Sequence, residues 1–454
     1  MIPYLATLRQ ELRPMLQLAT PLVLAELGWM GMGIIDTMMV GRVSAEAIGA
    51  VSLGSVLFYA VAIFGSGLML GLDTLVSQSF GARRLMDCHH SLINAVYICL
   101  PLAPSLMLLV WCWVPLLARF GINPVVFRQA VPYLMAIMWS TFPLLLYFAL
   151  RRYLQAMNRV APIMFALISA NVVNLAGNWI LVYGHFGFRA MGAEGSGWAT
   201  CISRVYMILV LGAYLFYDAA VNRTGLFEAP LAPDVRRIRD LVRLGFPAAM
   251  QLSLEVGVFA AATALIGTLD ALSLAAHQIA LNVASFTYMV PLGISSAAAV
   301  RVGQALGRGD VHAAGRAGWV AMALGAAFMT CAGIVLLTFP SYVARVFTTD
   351  HAVIRTAISL LAVAAAFQLF DGLQTVATGA LRGAGDTRTP MICHLLLYWL
   401  LGLPLGYVLC FSFGWGAVGL WAGLCAALIL IGSVLLVVWT RKVHTMAEGY
   451  VPVM

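Results

Sequence analysis

Charged residues are scarce in this chain of 454 residues: they make up 10% of it, whereas hydrophobic residues make up 62%. A soluble domain carries about 25% charged residues, so the composition excludes a soluble globular protein and indicates an integral membrane protein. The net charge of +8 has no soluble basic domain to carry it, which a nucleic-acid-binding protein would need. We therefore expect membrane lipids around the chain and no nucleic-acid partner.

Motifs for catalysis and for nucleotide or metal binding are also missing. The sequence holds no GxSxG, no HExxH and no phosphate-binding GxxxxGKS or GxxxxGKT segment. The eight cysteines are scattered without a CxxC pair and are interpreted as small packing residues. His277 and His394 lack metal-ligand spacing and are interpreted as core histidines. We expect neither an enzyme nor a cofactor, and without a nucleotide site any energy must come from an ion gradient.

Twelve apolar stretches are each long enough to cross a membrane, because a spanning helix needs about 20 residues. The sequence therefore predicts an all-α integral membrane protein with twelve transmembrane helices. The stretches lie near residues 15–40, 47–76, 92–118, 128–149, 160–184, 190–217, 241–266, 273–300, 313–338, 352–378, 390–413 and 416–440.

Arginine residues concentrate in alternate segments between these helices. Positively charged loops face the cytoplasm, so the pattern predicts a multi-pass protein of the cell inner (plasma) membrane with both termini inside. The segments expected inside include Arg83, Arg84, Arg151, Arg152, Arg236, Arg237 and Arg441.

The chain repeats itself. Matching glycines and prolines at a constant offset imply shared backbone geometry in two copies. Each copy holds six predicted helices, an even number, so both copies enter the membrane in the same direction as parallel repeats. Residues that recur 226 positions later include Pro21 as Pro247, Gly41 as Gly267, Gly67 as Gly293 and Gln78 as Gln304.

This repeat predicts two lobes with a site between them, an arrangement typical of transporters. The predicted N-terminal lobe covers residues 1–217 and the C-terminal lobe covers 241–440. The only long polar stretch, 218–240, is predicted to be a cytoplasmic linker, and 441–454 a cytoplasmic tail. Because the duplication lies within one chain, we expect a functional monomer.

Three carboxylates, Asp36, Glu255 and Asp371, lie inside the apolar stretches. An ionised side chain in hydrocarbon is costly, so such acids face a bundle interior or an aqueous cavity and usually carry function. Polar side chains accompany Glu255 and Asp371 at helical spacing, and we expect them to converge inside the lobe. Carboxylate, amide and hydroxyl oxygens suit a hard cation or a shared proton. The predicted supporting residues are Gln251, Gln278, Asn282, Gln374 and Thr375.

Asp36 is expected to form a second polar pocket with Asn174 and Asn178, which share one helix face. The alternative is that these asparagines only join helices, each contributing about 0.6 kcal/mol. Glu26 lies ten residues before Asp36, roughly 80° around the helix at 3.6 residues per turn. Two interpretations of Glu26 stay open: an acid facing a cavity, or a helix partner on the cytoplasmic side.

Segments around these residues resemble the multidrug and toxic compound extrusion (MATE) family, in its bacterial NorM-type branch. They are GMGIIDTMMVG around Asp36, NLAGNWILVYG around Asn174, RLGFP followed by LEVGVF around Glu255, AAHQIALN at 275–282, and FDGLQTVATGALRGAGDTRTP around Asp371.

The resemblance implies a V-shaped transporter that exports amphipathic, mostly cationic compounds by alternating access, in antiport with sodium or protons. By this resemblance Glu255 and Asp371 form the cation site of the second lobe, where sodium could bind. Asp36, with its two asparagines, forms the polar site of the first. Phe367 departs from the family, in which this position is often tyrosine, so a sodium site here would have one hydroxyl ligand fewer.

The sequence leaves two other functions open. A lipid-linked precursor flippase of the same superfamily would line its cavity with arginine or lysine to hold phosphate, and Arg204 is the clear cation within a predicted helix. An intramembrane transferase would need paired acids or a nucleophile near one interface, whereas the three acids lie on separate predicted helices. Growth separates the drug pump from the flippase, because a drug pump is dispensable without drug, whereas a precursor flippase often is not. The sequence decides neither the coupling ion nor the substrate.

Overall fold

The computed structural model describes residues 2–117 and 124–448, and within these ranges every regular element is a helix. Eleven of the described helices are long and apolar enough to cross a membrane, and one bent pair brings the number to twelve. The prediction of an all-α membrane protein is confirmed. Of the predicted cytoplasmic tail, residues 449–454 lie outside the described ranges.

Sixteen α-helices form the described chain, several of them joined into longer spans. They are α1 (Ile2–Gly41), α2 (Ala45–Leu68), α3 (Gly71–Gly81), α4 (Leu85–Leu117), α5 (Pro124–Met138), α6 (Thr141–Ala156), α7 (Ala161–Leu181), α8 (Ala193–Asn222), α9 (Val235–Ile266), α10 (Ala271–Gly307), α11 (Val311–Thr338), α12 (Pro340–Arg345), α13 (His351–Gly383), α14 (Arg388–Cys393), α15 (Leu403–Tyr407) and α16 (Gly416–Glu448).

Two short π-helical segments, His394–Gly402 and Val408–Ser412, join α14 and α15 into one span, Arg388–Ser412. The bent pair is α5 and α6, whose axes differ by 46° across a two-residue break. Pro143 follows this break and has no N–H to donate to the carbonyl four residues earlier. The bend therefore lies where the helix loses a backbone hydrogen bond.

Many large apolar side chains lie on the outside of these helices. Trp111 and Phe165 are each 60% exposed, and Leu209 is 65% exposed. Apolar surface of this extent is unfavourable in water and favourable against lipid tails. The exposed apolar side chains thus fit a membrane-embedded bundle.

Helix contacts divide the chain into two compact units, Leu24–Ala249 and Met1–Val23 with Met250–Met454. In the first unit α8 packs on α5, α6 and α7. In the second, α13 is central and packs on α10, α11 and α16. The division of the sequence at the 218–240 linker stays a prediction.

The same glycine contact occurs once in each unit. A Cβ atom on Gly67 would lie 2.5 Å from the Ala249 Cα, and one on Gly293 would lie 2.8 Å from the Val23 Cα. Gly293 lies 226 positions after Gly67, and Ala249 lies 226 positions after Val23. Small residues let helix backbones approach closely in membranes. The internal repeat of the sequence thus corresponds to a repeated packing contact.

We expect Gly67→Ala to lower the free energy of unfolding by about 1–3 kcal/mol, because the new methyl group meets backbone that cannot move aside cheaply. Gly212→Ala in α8 is the matched control, since no atom lies within 4 Å of its new Cβ. That control should gain about 0.5–1 kcal/mol from helix propensity. Thermal unfolding in detergent measures both, and equal Tm values for wild type and Gly67→Ala would contradict the contact.

The connection between α8 and α9 is bound to α4. Tyr97 donates to the Leu231 carbonyl at 2.8 Å, and the Asn94 Oδ1 accepts from the Asp234 N–H at 2.8 Å. The His89 Nε2 donates to the Thr224 carbonyl, also at 2.8 Å. The ends of the predicted linker belong to α8 and α9, and its middle, which contains a short 3₁₀ helix at Leu226–Glu228, is attached to α4.

Candidate functional site

The two acids of the second unit come from α9 and α13. Glu255 lies one turn after Gln251 on α9, and Asp371 lies one turn before Gln374 on α13, so each acid shares a helix face with an amide. Glu255 is 7% exposed and Asp371 8% exposed. The four side chains meet inside the unit, in the buried polar cluster that the sequence predicted.

The Gln374 amide lies between the two carboxylates. Its Nε2 donates to the Glu255 Oε1 at 3.1 Å and to the Asp371 Oδ1 at 3.2 Å, and is 3.1 Å from the Thr375 Oγ1. The Gln251 Nε2 donates to the other Glu255 oxygen, Oε2, at 2.8 Å. Both carboxylates are thus held by neutral N–H donors.

His394 extends this cluster from the π-helical segment that follows α14. Its Nε2 lies 3.3 Å from the Gln251 Nε2 and 3.6 Å from the Glu255 Oε2, and its ring is fully buried. Sequence reasoning interpreted His394 as a core residue because its neighbours are remote in the chain and no ligand spacing marks it. The structure places it beside the acids.

Two of the predicted supporting residues lie outside the cluster. Gln278 and Asn282 share a face of α10, but both are exposed, whereas His277 on the other face is fully buried. The expected convergence of this pair with the acids is therefore wrong. Helical spacing shows that two residues share a face, and it does not show which face the bundle buries.

Phe367 and His277 belong to an aromatic contact beside the acid cluster. Phe367 is 2% exposed and stacks on Trp421, with ring centroids 5.8 Å apart. The Trp421 Nε1 donates to the His277 Nδ1 at 2.9 Å, and the His277 Nε2 donates to the Thr263 Oγ1 at 2.8 Å. Both ring nitrogens of His277 have neutral partners, so its role is packing within the unit.

In the first unit, Asp36 accepts three hydrogen bonds. Its Oδ1 accepts from the Asn174 Nδ2 at 3.0 Å and from the Asn178 Nδ2 at 2.7 Å, and its Oδ2 accepts from the Thr200 Oγ1 at 2.7 Å. All four side chains are buried. The predicted pocket of one acid and two asparagines is present, because α1, α7 and α8 converge there.

Thr200 is the residue of this pocket that sequence reasoning missed. Hydroxyl residues are common in apolar helices, where they usually donate to a backbone carbonyl, as Thr37 does to Gly33 at 2.9 Å. The signal that could have identified Thr200 is Arg204, one turn further along α8 on the same face. A buried arginine marks the face of a helix that turns away from lipid.

Arg204 lies fully buried among aromatic rings. Its guanidinium carbon is 4.9 Å from the Phe58 ring centroid and 5.8 Å from that of Trp29. It donates to the hydroxyl groups of Ser140 and Tyr59. Rings and hydroxyls stabilise a cation without neutralising it, so the first unit keeps a positive charge one helical turn from the Thr200–Asp36 contact.

Glu26 forms a buried ion pair with Arg151 of α6. The Glu26 side chain is 8% exposed and that of Arg151 1% exposed. The next residue of α6, Arg152, pairs with Asp73 of α3 at 3.5 Å. Of the two interpretations of Glu26, the structure supports the helix partner.

Cation binding by the acid cluster would rest on oxygen ligands. Within residues 2–117 and 124–448, no group of three or more His, Cys, Asp or Glu side chains gathers as it would around a metal ion. Glu255, Asp371 and the Thr375 hydroxyl supply hard oxygen donors, which bind an alkali cation or share a proton. A sodium ion that bridges both carboxylates would have to displace the Gln374 N–H group from between them.

Known proteins of one family match this chain over nearly its whole length. The MatE family profile matches residues 21–180 and 247–408. A probable multidrug resistance protein NorM of Mesorhizobium japonicum is 37% identical over 96% of this chain and 94% of its own length. The multidrug resistance protein NorM of Aliivibrio fischeri is 32% identical over 92% of each.

Solved structures share the fold. The crystal structure of a eukaryotic MATE transporter superposes with a TM-score of 0.84 at 22% identity, covering 97% of this chain and 99% of that chain. A MOP superfamily transporter from Pyrococcus furiosus gives a TM-score of 0.87 at 17% identity, over 96% and 97% of the two chains. At these identities the likeness concerns the fold alone.

Proposed function

The chain belongs to the MatE family of membrane transporters, and from that premise we propose that it is a cation-coupled multidrug efflux antiporter. It exports amphipathic, mostly cationic organic compounds by alternating access while sodium or protons enter. It works as a monomer in the cell inner membrane, with both termini in the cytoplasm. It is not an enzyme and needs no cofactor besides the coupling ion.

One observation carries this proposal: the buried acids Glu255 and Asp371 share a single amide donor, Gln374. Two carboxylates held together in low dielectric favour the uptake of one positive charge, because each raises the cost of ionising the other. No catalytic motif or nucleotide motif accompanies them. An acid pair that takes up and releases a cation is what an ion-driven antiporter requires.

The Gln374 amide links cation uptake to a change in helix contacts. When a proton or sodium binds the pair, one of its two negative charges is cancelled, and the acids depend less on the Gln374 Nε2 as a donor. The Oε1 of the same amide is buried without a hydrogen-bond partner, so amide rotation would give the cation or the protonated acid an acceptor. The contact between α9 and α13 then differs between the two states, as a conformational switch requires.

The buried arginines of the first unit do not favour the precursor flippase. Arg151 pairs with Glu26, Arg152 with Asp73, and Arg204 donates to two hydroxyl groups among aromatic rings. A phosphate group would have to compete with these partners. The acids of the second unit would also repel it.

The proposal is tested by the linkage between drug and cation. Binding of ethidium, a flat cationic dye, to the purified protein is followed by fluorescence anisotropy at several pH values and sodium concentrations. If dye and cation compete, the cation lowers the affinity of the protein for the dye by some factor. The dye must then lower the affinity for that cation by the same factor. Dye affinity that is constant across both series would contradict cation coupling.

A further inference from the structure

The start of α9 is a charged extension of a membrane span. The helix has 32 residues, whereas about 20 cover the hydrocarbon core of a bilayer, so about 12 extend beyond it. The charges show which end extends: five charged residues lie in 235–246, and Glu255 alone lies in 247–266. The first three turns of α9 therefore lie at the level of the lipid head groups and just beyond them.

We infer that these turns form a binding surface for anionic phospholipid head groups. Its charged part is the α9 stripe, which consists of Arg236, Arg239 and Arg243. Apolar side chains beside the stripe contact the adjoining acyl chains. Lipid binding at this surface goes beyond the proposed antiport and does not depend on it.

The α9 stripe is a patch of uncovered positive charge. Arg236, Arg239 and Arg243 are three and four residues apart, so they share one side of the helix, and all three are exposed. Asp240 is the one acid between Val235 and Phe246. Three positive charges against one negative charge leave a net charge of +2. Guanidinium groups bind phosphate through two parallel N–H bonds, so the stripe suits a lipid phosphate.

A fourth arginine shows which side of α9 the bundle covers. Arg237 donates to the Asp87 Oδ1 at 2.7 Å and to the Ser91 Oγ at 2.9 Å, both on α4. Leu241, one turn further along the same face, is buried. The bundle therefore covers the side of Arg237 and Leu241, and the α9 stripe lies on the uncovered side.

Exposed apolar side chains flank the α9 stripe. Val235, Val242 and Phe246 are seven and four residues apart, on the neighbouring face of the helix. Val235 is 77% exposed and Phe246 48% exposed. Basic and apolar side chains next to each other are typical of helices in the membrane interface. They favour a lipid over a soluble anion, because a soluble anion would leave the apolar side chains in water.

The segment before α9 continues this surface. Phe227, in the short 3₁₀ helix, is exposed and stacks on Phe216 near the end of α8, with ring centroids 6.1 Å apart. Leu231 is exposed as well, and its carbonyl is held by Tyr97 of α4. Aromatic side chains are enriched where membrane and water meet. Because this segment is fastened to α4, little of it has to be ordered when a lipid binds.

The charge of the surface matches the membrane that it faces. Under the proposed topology, the start of α9 lies at the cytoplasmic leaflet, whose anionic lipids give a negative surface potential. The attraction of one arginine to such a surface corresponds to about fivefold in affinity. Three arginines on one face are therefore enough to select an anionic lipid over a zwitterionic one.

The test measures the binding of a fluorescent phosphatidylglycerol, labelled on one acyl chain, to the purified protein in dodecyl maltoside micelles. Anisotropy gives the Kd. We expect Arg236→Gln/Arg239→Gln/Arg243→Gln to raise this Kd by at least about tenfold. The corresponding triple lysine variant keeps the charge and should stay within about threefold of wild type. For wild type, unlabelled phosphatidylglycerol should displace the probe, whereas phosphatidylcholine and glycerol 3-phosphate should not.

The matched control removes the same charge from three separate places. Arg42, Arg128 and Arg355 are exposed and are predicted to lie on the other side of the membrane. Their triple glutamine variant should bind the probe within about twofold of wild type. Raising the salt concentration from 50 to about 500 mM should weaken binding to wild type, because salt screens exposed charges. The salt series needs no variant, so it decides the point even if a variant does not fold.

Several results would overturn the lipid surface. One is a wild-type Kd for the glutamine variant of the α9 stripe, and another is an equal loss of affinity in the control variant. A Kd that does not change with salt would do the same. Displacement of the probe by phosphatidylcholine as effectively as by phosphatidylglycerol would show that charge is not read. Equal displacement by glycerol 3-phosphate would make the stripe a site for small soluble phosphates instead.

Discussion

Asp371→Asn is expected to reduce gradient-driven dye export by at least about a hundredfold, the loss typical of removing a group that transfers a proton. Asparagine keeps the size of the side chain and can still bond with Gln374, but it cannot be ionised. The acid pair then becomes a single carboxylate that no longer exchanges one cation for the drug. The rate is measured in proteoliposomes with ethidium.

The matched control for this substitution lies on the same helix. Asp350 caps the start of α13 by accepting from the Ala352 N–H at 2.8 Å. Asparagine is an equally good cap, so Asp350→Asn should transport dye at the wild-type rate. Equal Tm values for the two variants would show that both are folded. Export by Asp371→Asn at the wild-type rate would remove Asp371 from the site.

Removing Glu26 is expected to give the largest loss of stability. Glu26→Ala leaves the Arg151 guanidinium buried without its carboxylate, which costs about 3–5 kcal/mol. The Arg151 Nε has no hydrogen-bond partner in the wild-type protein, so a bond from this nitrogen does not compensate for the lost carboxylate. Thermal unfolding in detergent should show a clearly lowered Tm for this variant.

Replacing both partners separates a structural role of Glu26 from a transport role. In Glu26→Leu/Arg151→Met neither charge of this pair is left, so stability should return to within about 1–2 kcal/mol of wild type. If Glu26 serves only as a helix partner, this variant also exports dye at close to the wild-type rate. A stable double variant without export would make Glu26 an acid of the transport pathway.

The sequence predicted the helices because their signal is local. About 20 consecutive apolar residues identify a span without knowledge of its neighbours. The acids stood out for the same reason, since Asp36, Glu255 and Asp371 interrupt such stretches. Gln251 and Gln374 were found because each is one helical turn from its acid.

The remaining features depend on contacts that are remote in the chain. Arg151 lies 125 positions from Glu26, and His394 lies 143 from Gln251, so no spacing rule connects them. Thr200 carries a side chain that is ordinary in an apolar helix until Asp36 is placed beside it. The exposure of Gln278 depends on which face of α10 the bundle covers. Packing decides these points, and periodicity does not.

The most direct measurement is dye export from proteoliposomes under a proton gradient alone, a sodium gradient alone, and no gradient. The membrane potential is clamped, and Asp371→Asn is measured in parallel. We predict that an inward gradient of one of the two cations drives wild-type export and that the variant stays at the level of protein-free vesicles. Dye movement at one rate under all three conditions would contradict cation-coupled antiport.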